Sequence, residues 1–324
     1  MTKAIRIHAT GGPEVLAWEE VPVGDPGPGQ VRIEQSAVGL NYIDVYQRTG
    51  LYPLVSMPQT LGMEAAGVVE AVGDGVQTLM PGDRVAYAMN LGAYSQKRLI
   101  DAAALVKLPA EIDNRTAAAM MLQGMTARYL LKESYRVRAG DAVLVMAAAG
   151  GVGSILSQWA RHLGASVIGC VGSEEKAALA RDNGCSYTIN YREEDIAVRV
   201  REITDGEGVA VSYDSIGKST LEASLDSLRP TGTLVSFGNA SGAITGFNIG
   251  LLAQKGSLYI QRPTLATYIR TRQLLETSAM DLFDAVGSGQ VKIRIGQSYP
   301  LSEVAQAHRD LEGRKTTGST ILTL

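Results

Sequence analysis

The alternation of apolar and polar positions changes character near residue 140. Before that point, short runs with a period of two, such as 30–36, are separated by turns rich in proline and glycine, such as 25–29. Such alternation is typical of half-buried β-strands. After that point, six apolar runs alternate with helical segments, and these runs lie near 142–147, 165–171, 186–190, 209–214, 232–237 and 257–261. The second pattern predicts a parallel sheet with helices on both faces.

Two longer helices and a closing strand complete the predicted elements. One helix is expected to begin at Asp113 or Asn114, either of which can cap its first turn, and to run through 117–131. A second long helix is expected over 265–287, and the last residues, 318–324, return to strand character.

The strands at both ends of the chain enclose the region of alternating strands and helices. With 324 residues, the chain is long enough for two domains. We therefore expect an α/β protein in which residues 125–261 form one domain. Residues 1–124 and 262–324 together are expected to form the other, β-rich domain.

The segment 143–156 carries the clearest chemical signal. It has the pattern of a buried strand, a glycine turn and the first turn of a helix, which opens a βαβ unit. Gly150 would let the main chain approach a pyrophosphate, and Gly153 would let the helix pack closely on the strand. Ala148 occupies the first glycine position of G-x-G-x-x-G, but a second strand follows at the expected distance. Dinucleotide binding is therefore favoured over a turn that needs glycines only for its shape.

Composition excludes several classes of function. The net charge of −3 gives no basic footprint for nucleic acid. The two cysteines, Cys170 and Cys185, form neither a disulfide framework nor a C-x-x-C pair, which indicates a reducing, cytoplasmic setting. Residues 1–9 alternate like a strand and lack the apolar core of a signal peptide. The longest apolar run, 142–156, is interrupted by the glycine turn, so we expect no membrane span.

Eight short motifs extend the argument to a known family, and they lie at 11–16, 39–44, 48–53, 62–67, 82–85, 147–153, 189–191 and 235–238. In their order and spacing they resemble the quinone oxidoreductase (zeta-crystallin-like) family of the medium-chain dehydrogenase/reductase superfamily. The resemblance implies a GroES-like β-rich catalytic domain plus a Rossmann domain with a doubly wound, parallel, six-stranded sheet. It also implies NADPH as the cofactor and, commonly, a homodimer, but it does not fix the natural substrate.

Zinc-dependent members of the superfamily carry ligands that this sequence lacks. Met63 occupies the place of a zinc-binding histidine, and 41–44 occupies the place of a cysteine-containing loop. Glu64 alone cannot make a site. No ligand-spaced pair occurs among the three histidines, which are His8, His162 and His308. We therefore expect no metal.

The end of the second strand of the inserted domain favours NADP over NAD. An NAD enzyme of this fold usually places Asp or Glu there, whereas this chain has Val171 or Gly172. Ser173 and Lys176, which follow at once, suit a 2′-phosphate. The same residues also fit an ordinary helix cap, and the acids at 174–175 add negative charge, so the residues alone leave NAD open.

The family pattern implies roles for further residues. Asn41, Tyr46 and Thr126 should line the nicotinamide side, and Tyr52 should face the acceptor unless it only packs a turn. Asp44 is a candidate acid or base, with a helix cap as the alternative. The complete set of expected cofactor contacts is Asn41, Tyr46, Thr126, Gly150, Gly151, Val152, Gly153, Gly172, Ser173, Lys176, Tyr191, Ser215, Phe237, Gly238, Ser241 and Arg314.

These observations predict an enzyme that transfers reducing equivalents from NADPH to a quinone without a metal. A quinone already has electrophilic conjugated carbonyls, so positioning over the nicotinamide and exclusion of water suffice. The partner is a small-molecule quinone or another conjugated carbonyl compound, with no membrane and no nucleic acid as main ligand. Two alternatives stay open at this point. One is an NADPH-dependent enone or alkenal reductase, and the other is an NADPH-binding protein with a non-catalytic role such as RNA binding.

Overall fold

The structure, a computed structural model, describes all residues from Met1 to Leu324. The chain divides into two compact units: the first unit comprises residues 1–125, 269–287 and 293–324, and the second unit comprises residues 126–268 and 288–292. The domain boundaries inferred from the sequence, after residues 124 and 261, stay a prediction, because compactness alone does not define a functional domain.

The strands are β1 (Thr2–Ile7), β2 (Ala17–Val21), β3 (Gln30–Leu40), β4 (Gln59–Thr60), β5 (Glu64–Val72), β6 (Arg84–Ala88), β7 (Lys97–Asp101), β8 (Val106–Lys107), β9 (Ala142–Met146), β10 (Ser166–Val171), β11 (Tyr187–Asn190), β12 (Val209–Asp214), β13 (Leu228–Ser236), β14 (Tyr259–Gln261), β15 (Ile295–Pro300) and β16 (Ser319–Thr323).

The α-helices are α1 (Tyr42–Thr49), α2 (Asn114–Ala118), α3 (Met121–Tyr129), α4 (Gly151–His162), α5 (Glu174–Asp182), α6 (Ile196–Ile203), α7 (Leu221–Asp226), α8 (Gly250–Gln254), α9 (Leu265–Tyr268), α10 (Arg272–Gly287) and α11 (Val304–Glu312). A π-helical turn, Leu130–Ser134, follows α3, and three short 3₁₀ turns lie at Pro13–Val15, Ala102–Ala104 and Leu301–Glu303. None of these helices combines the length and the apolar character that crossing a bilayer requires.

The second unit contains a six-stranded sheet in the order β11-β10-β9-β12-β13-β14, and every neighbouring pair is parallel. From β9, the chain first adds strands on one side, β10 and then β11, and afterwards on the other side, from β12 to β14. The switch between β9 and β12 is typical of doubly wound dinucleotide-binding folds. All six residues of β12 are buried, as expected for a strand covered on both faces. The predicted parallel six-stranded sheet is confirmed.

The first unit contains two sheets. A three-stranded sheet has the order β2-β1-β4, and a seven-stranded sheet has the order β15-β16-β3-β5-β6-β8, with β7 also pairing with β3. The long strand β3 pairs antiparallel with β5, β7 and β16, and its register with β5 shifts twice. Such shifts bend a strand and let one strand serve two regions of a sheet. Ile33 and Val38 on β3 belong to the main apolar core of this unit.

The sequence predicted one continuous helix from Asp113 or Asn114 through residue 131, but the structure has two helices, α2 and α3, in this stretch. Asp113 does cap α2, since its carboxylate accepts from the main-chain N–H of Thr116 at 2.8 Å. The helix then ends at Ala118, and α3 begins at Met121. The cause is a contact from a distant strand, because the main-chain N–H of Leu122 donates to a Glu64 carboxylate oxygen at 2.7 Å.

The second long helix, expected over 265–287, is also interrupted. The helix α9 ends at Tyr268, and α10 begins at Arg272. Thr271 starts the new helix: its carbonyl accepts from the N–H of Leu275 at 2.9 Å, and its hydroxyl accepts from the N–H of Leu274 at 3.3 Å. Threonine favours this position because its side chain can bond the first turn.

Gly153 is required by close packing between α4 and the end of β9. A Cβ atom on Gly153 would lie 2.3 Å from the carbonyl oxygen of Ala147 and 2.8 Å from Cα of Ala148. A Cβ atom on Gly150 would meet only the carbonyl oxygen of Ala147, at 3.2 Å. The close approach of helix and strand expected at Gly153 is therefore present, whereas a Cβ atom at Gly150 would make one tight contact that a shift of a few tenths of an ångström relieves.

Gly153→Ala is expected to lower the free energy of unfolding by about 1–3 kcal/mol, because main-chain atoms must move to admit the methyl group. Gly150→Ala adds the same methyl group to the same turn and is expected to cost less than about 1 kcal/mol. Urea denaturation of the two variants measures the difference. Equal losses would contradict the packing argument.

Candidate functional site

The glycine turn at the carboxyl end of β9 presents an uncapped helix terminus. Gly150 is the N-cap of α4, no side chain bonds the cap, and no acidic residue lies in the first turn. The N–H groups of Gly151, Val152 and Gly153 belong to this first turn, where helix geometry supplies no carbonyl partners. Such a terminus suits a phosphate, because several N–H groups and the helix dipole act together.

Four of the residues expected to hold a 2′-phosphate lie together at the ends of β10 and β11. The N–H of Tyr191 donates to the carbonyl of Val171 at 3.1 Å, and a Cβ atom on Gly172 would lie 2.5 Å from the Tyr191 hydroxyl oxygen. The Ser173 hydroxyl accepts from the N–H of Lys176 at 3.3 Å. Ser173 is thus the N-cap of α5, and its hydroxyl hydrogen can still donate to a ligand.

The negative charge of the acids at 174–175, which disfavours a bound phosphate, is partly balanced by a cation. Glu174 pairs with Arg181 on the same helix. Its charge is therefore balanced by a guanidinium within α5, which lowers the repulsion that a bound phosphate would meet.

A third group of predicted residues lies at the ends of β12 and β13. A Cβ atom on Gly238 would lie 2.1 Å from the carbonyl oxygen of Ser215, so the two chain segments touch through their backbones. The N–H of Ser241 and its hydroxyl both donate to the carbonyl of Ile216, each at 2.8 Å. The N–H of Phe237 donates to the carbonyl of Asp214 at 2.8 Å. Ser215, Phe237, Gly238 and Ser241 thus form one edge of the sheet, where ligands bind in such folds.

Arg262 at this edge was missed by the sequence reasoning. Its guanidinium donates to the carbonyls of Ser236 at 2.8 Å and Gly238 at 3.1 Å. No motif distinguishes an arginine that bonds backbone carbonyls from one on the surface.

Two further predicted residues lie outside these three groups. Thr126 is buried on α3 and is the first residue of the second unit. Arg314 belongs to the first unit, just beyond α11, where its N–H donates to the carbonyl of Leu311 at 3.1 Å. Their contacts with a cofactor stay a prediction.

In the first unit, α1 and the turn after it bring Asn41, Tyr46 and Tyr52 together. Asn41 is the N-cap of α1, and Tyr46 is buried on that helix. The N–H of Tyr52 donates to the carbonyl of Tyr46 at 3.0 Å, and the centroids of the two rings are 5.1 Å apart. A third ring, that of Tyr42, lies 6.0 Å from the ring of Tyr46. The three tyrosines form an aromatic group next to the cap of the helix.

Asp44 fulfils the helix-cap alternative, because its carboxylate accepts from the N–H of Asn41 at 2.8 Å. The same carboxylate oxygen accepts from the Tyr94 hydroxyl at 2.9 Å. Tyr94 in turn contacts Nε2 of His308 at 3.1 Å, and Nδ1 of His308 contacts the Arg48 guanidinium at 3.1 Å. Arg48 completes the series with a two-point ion pair to Glu312 at 2.8 and 2.9 Å.

The direction of this series follows from the chemistry of its members. A guanidinium only donates, so Nδ1 of His308 accepts and Nε2 carries the hydrogen. The Tyr94 oxygen accepts that hydrogen and the Tyr94 hydroxyl donates to Asp44. Burial, and to a smaller extent the charge of Arg48, lowers the pKa of His308 to about 3, so the ring is neutral as this arrangement requires.

Glu64 is the functional candidate that the sequence reasoning passed over, having considered it only as part of an absent zinc site. It is fully buried. One carboxylate oxygen accepts from the Asn41 side-chain amide at 2.7 Å, and the other accepts from the N–H of Leu122 at 2.7 Å. Its position inside the apolar stretch 61–69 was the available signal, since an isolated acid among buried residues needs partners.

The ionised forms of the two carboxyl groups are destabilised by burial. Burial raises the pKa of both Asp44 and Glu64 above the ordinary values, while the hydrogen bonds each receives oppose the rise. The charge of Asp44 raises the pKa of Glu64 further. Ionised forms therefore depend on the N–H and O–H donors directed at them.

Met63, at the position where the zinc-dependent enzymes named above carry a histidine, makes a packing contact with a neighbouring side chain. The Met63 sulfur accepts from the Gln47 side-chain amide at 3.4 Å. No group of three or more His, Cys, Asp and Glu side chains in the structure is arranged to hold a metal ion.

Comparison with known proteins identifies the family. Residues 27–133 match the alcohol dehydrogenase GroES-like domain, and residues 151–283 match the zinc-binding dehydrogenase family. The chain is 51% identical to quinone oxidoreductase of Pseudomonas aeruginosa and 49% identical to 2-haloacrylate reductase of a Burkholderia species, over 99% of each chain. The structure of Escherichia coli quinone oxidoreductase complexed with NADPH is 48% identical, with a TM-score of 0.97 over 99% of this chain and 100% of that chain. Together with the GroES-like and Rossmann folds, these matches confirm the resemblance seen in the motifs: the chain belongs to the quinone oxidoreductase family of the medium-chain dehydrogenase/reductase superfamily.

Proposed function

We propose that this protein is an NADPH-dependent quinone oxidoreductase. The observation that carries the proposal is the juxtaposition of Gly172, Ser173 and Tyr191 at the sheet edge beside α5, with no carboxylate at the end of β10. A carboxylate there would repel a 2′-phosphate, whereas hydroxyls and the Lys176 ammonium attract it.

The residues of the second unit fit the rest of the cofactor. The pyrophosphate meets the N–H groups of the first turn of α4, and Gly150 leaves the main chain open to it. Ser215, Phe237, Gly238 and Ser241 line the neighbouring edge of the sheet. When bound, NADPH supplies the hydride, and the protein supplies orientation and exclusion of water.

We propose that the nicotinamide side is lined by Asn41, Tyr46 and Thr126, and that Arg314 supports the phosphate. Tyr52 presents its ring to the acceptor, since that ring already packs against Tyr46. An aromatic face suits a flat quinone, which stacks on it without a charged partner.

A second candidate function is reduction of an activated carbon–carbon double bond. It is favoured by the 49% identity to a 2-haloacrylate reductase. Both substrates present a conjugated carbonyl to the same hydride, so they place the same demands on orientation. A role as an NADPH-binding protein without turnover is the third alternative.

Turnover on matched acceptors separates these functions. With NADPH in excess, kcat/KM for 1,4-benzoquinone is expected to exceed the values for 2-cyclohexenone and 2-chloroacrylate at least ~10-fold, about 1.4 kcal/mol of transition-state binding. The loss of NADPH absorbance measures all three reactions. A reversed order would support the double-bond reductase, and NADPH binding without oxidation by any acceptor would support the non-catalytic role.

Lys176→Ala is expected to weaken NADPH binding by ~1–3 kcal/mol and to leave NADH binding nearly unchanged, because only NADPH carries the phosphate that the ammonium would bond. Fluorescence titration measures both dissociation constants. Lys3→Ala, which removes a partly exposed lysine of the first unit, is the matched control. Equal losses for NADPH and NADH would refute the phosphate assignment.

Tyr52→Phe is expected to lower turnover by less than the ~100-fold typical of losing a general acid, because the ring contact with Tyr46 is retained. Tyr52→Ala removes that contact and should do more harm, mainly through KM for the quinone, with NADPH affinity little changed. Steady-state kinetics of both variants measure the split. If Tyr52→Phe loses as much as Tyr52→Ala, the phenol acts as a proton donor.

We also propose a homodimer in a cytoplasmic setting. The edge strand β14 carries the exposed apolar side chains Tyr259 and Ile260, and an open apolar edge favours pairing with a second copy. The two cysteines are buried and unlinked, in keeping with a reducing compartment. Light scattering in solution gives the molar mass that tests the assembly.

A further inference from the structure

Two buried carboxyl groups bind Asn41, one through its main chain and the other through its side chain. Asp44 accepts from its main-chain N–H at 2.8 Å, and Glu64 accepts from its side-chain amide at 2.7 Å. Both acids are fully buried, and Asn41 itself is only 6% exposed. A residue that merely caps α1 needs no second carboxyl group, so the contact with Glu64 calls for an explanation.

The Asn41 amide lies in a series of hydrogen bonds with one direction. The Ser319 hydroxyl donates to the Gln123 side-chain oxygen at 2.7 Å. The Gln123 amide nitrogen donates to the Asn41 side-chain oxygen at 3.2 Å, and the Asn41 amide nitrogen donates to Glu64. Every donor therefore points toward the Glu64 carboxylate.

Glu64 fixes that direction when it is ionised, because a carboxylate can only accept. Burial raises the pKa of Glu64 to about 8, so the direction is fixed most firmly above that pH. The geometry is that of the ionised form, since each Glu64 oxygen accepts one N–H. Its other oxygen takes the N–H of Leu122 in the first turn of α3, where the helix dipole favours a negative charge. Turning the Asn41 amide around would place its oxygen against Glu64 and its nitrogen against the Gln123 nitrogen. Both new contacts would be repulsive, so one orientation of the amide is strongly preferred.

The orientation determines what Asn41 offers to a ligand. Its side-chain oxygen accepts from Gln123, and one of its two amide hydrogens is bonded to Glu64. The second amide hydrogen is a donor of fixed direction. We propose that Glu64 is a positioning residue that holds the Asn41 amide so that it presents an N–H donor to an acceptor oxygen of the nicotinamide half of NADPH. The oxygen is a ribose hydroxyl or the carboxamide carbonyl, and the inference rests on the proposed contact between Asn41 and NADPH.

Glu64→Gln tests the inference because glutamine has one acceptor oxygen for two donors. If that oxygen keeps the N–H of Leu122, its nitrogen faces Asn41 and turns the Asn41 amide around. NADPH is then expected to bind at least ~10-fold more weakly, as for loss of a charge-assisted hydrogen bond. Fluorescence titration gives the dissociation constant, and far-UV circular dichroism with a thermal melt reports folding.

A double-mutant cycle with Asn41 shows whether Glu64 acts by positioning the Asn41 amide or only by stabilising the fold. Asn41→Ala alone is expected to weaken NADPH binding, and Glu64→Gln added to it should cause no further loss, because Glu64 acts through the amide that is already gone. Additive losses in the double variant would overturn the inference and assign Glu64 to stability alone. Asn41→Ala without effect on NADPH would overturn the proposed Asn41 contact, and the inference with it, while the Lys176 result would still stand.

Two further variants control for loss of buried charge and for misfolding of Glu64→Gln. Asp44→Asn removes the other buried charge but keeps an oxygen for the N–H of Asn41 and the Tyr94 hydroxyl, so the loss of NADPH affinity is expected to be smaller than in Glu64→Gln. An equal loss in Asp44→Asn and Glu64→Gln would show that buried charge, and not amide orientation, is responsible.

If Glu64→Gln does not fold, Gln123→Met removes the other partner of the Asn41 amide. This variant should weaken NADPH binding, and the loss should not add to that of Asn41→Ala. Full additivity in that pair would overturn the inference.

Discussion

The need to keep two buried carboxyl groups supplied with donors shapes much of the first unit. Asp44 and Glu64 have no access to water, and a carboxylate taken out of water is stable only if hydrogen bonds replace its hydration. The structure supplies N–H donors to both oxygens of Glu64, and an N–H and an O–H donor to Oδ2 of Asp44, while Oδ1 of Asp44 is buried without a hydrogen bond. Neither carboxyl group has a direct cationic partner. The cap of α1 and the break before α3 are both consequences of this requirement.

The second unit was the more predictable part because its signals are local. Its strands are apolar runs bounded by turns, and the role of Gly153 follows from a turn of a few residues. The break between α2 and α3 could not be predicted in the same way. The stretch 117–121 is helix-forming on its own, and the interruption comes from Glu64, which lies 58 residues from Leu122 in the sequence. Propensity gives way there to tertiary hydrogen bonds between main-chain N–H groups and one buried carboxyl group.

The candidate site likewise contains residues that local sequence motifs predict and residues that only the fold brings together. The candidate residues near the glycine turn and at the ends of β10 and β11 follow from short motifs, since backbone N–H groups are expected to do much of the binding there. Glu64, Gln123 and Ser319 carry no such signal. Ser319 and Gln123 are 196 residues apart, and neither serine nor glutamine has a spacing rule that points to a site. Only the isolated acid in an apolar strand was visible in the sequence, and its meaning depends on partners brought in by the fold.

The two units thus bring different chemistry to the proposed function. In the second unit, glycines and a helix terminus form the proposed pyrophosphate site, so a wide range of neighbouring side chains is compatible with binding. In the first unit, the direction of the Asn41 amide is set by a series of side chains that ends on the Glu64 carboxylate. Fixed donors bind without reorganisation, which is the advantage that offsets the cost of burying charge. The proposed acceptor contact, by contrast, is the face of an aromatic ring, that of Tyr52, which packs against Tyr46 and is bonded to neither carboxylate in the hydrogen bonds described above. On this proposal, a change of acceptor between the quinone and the haloacrylate named for two relatives requires no change in the carboxylates that hold Asn41.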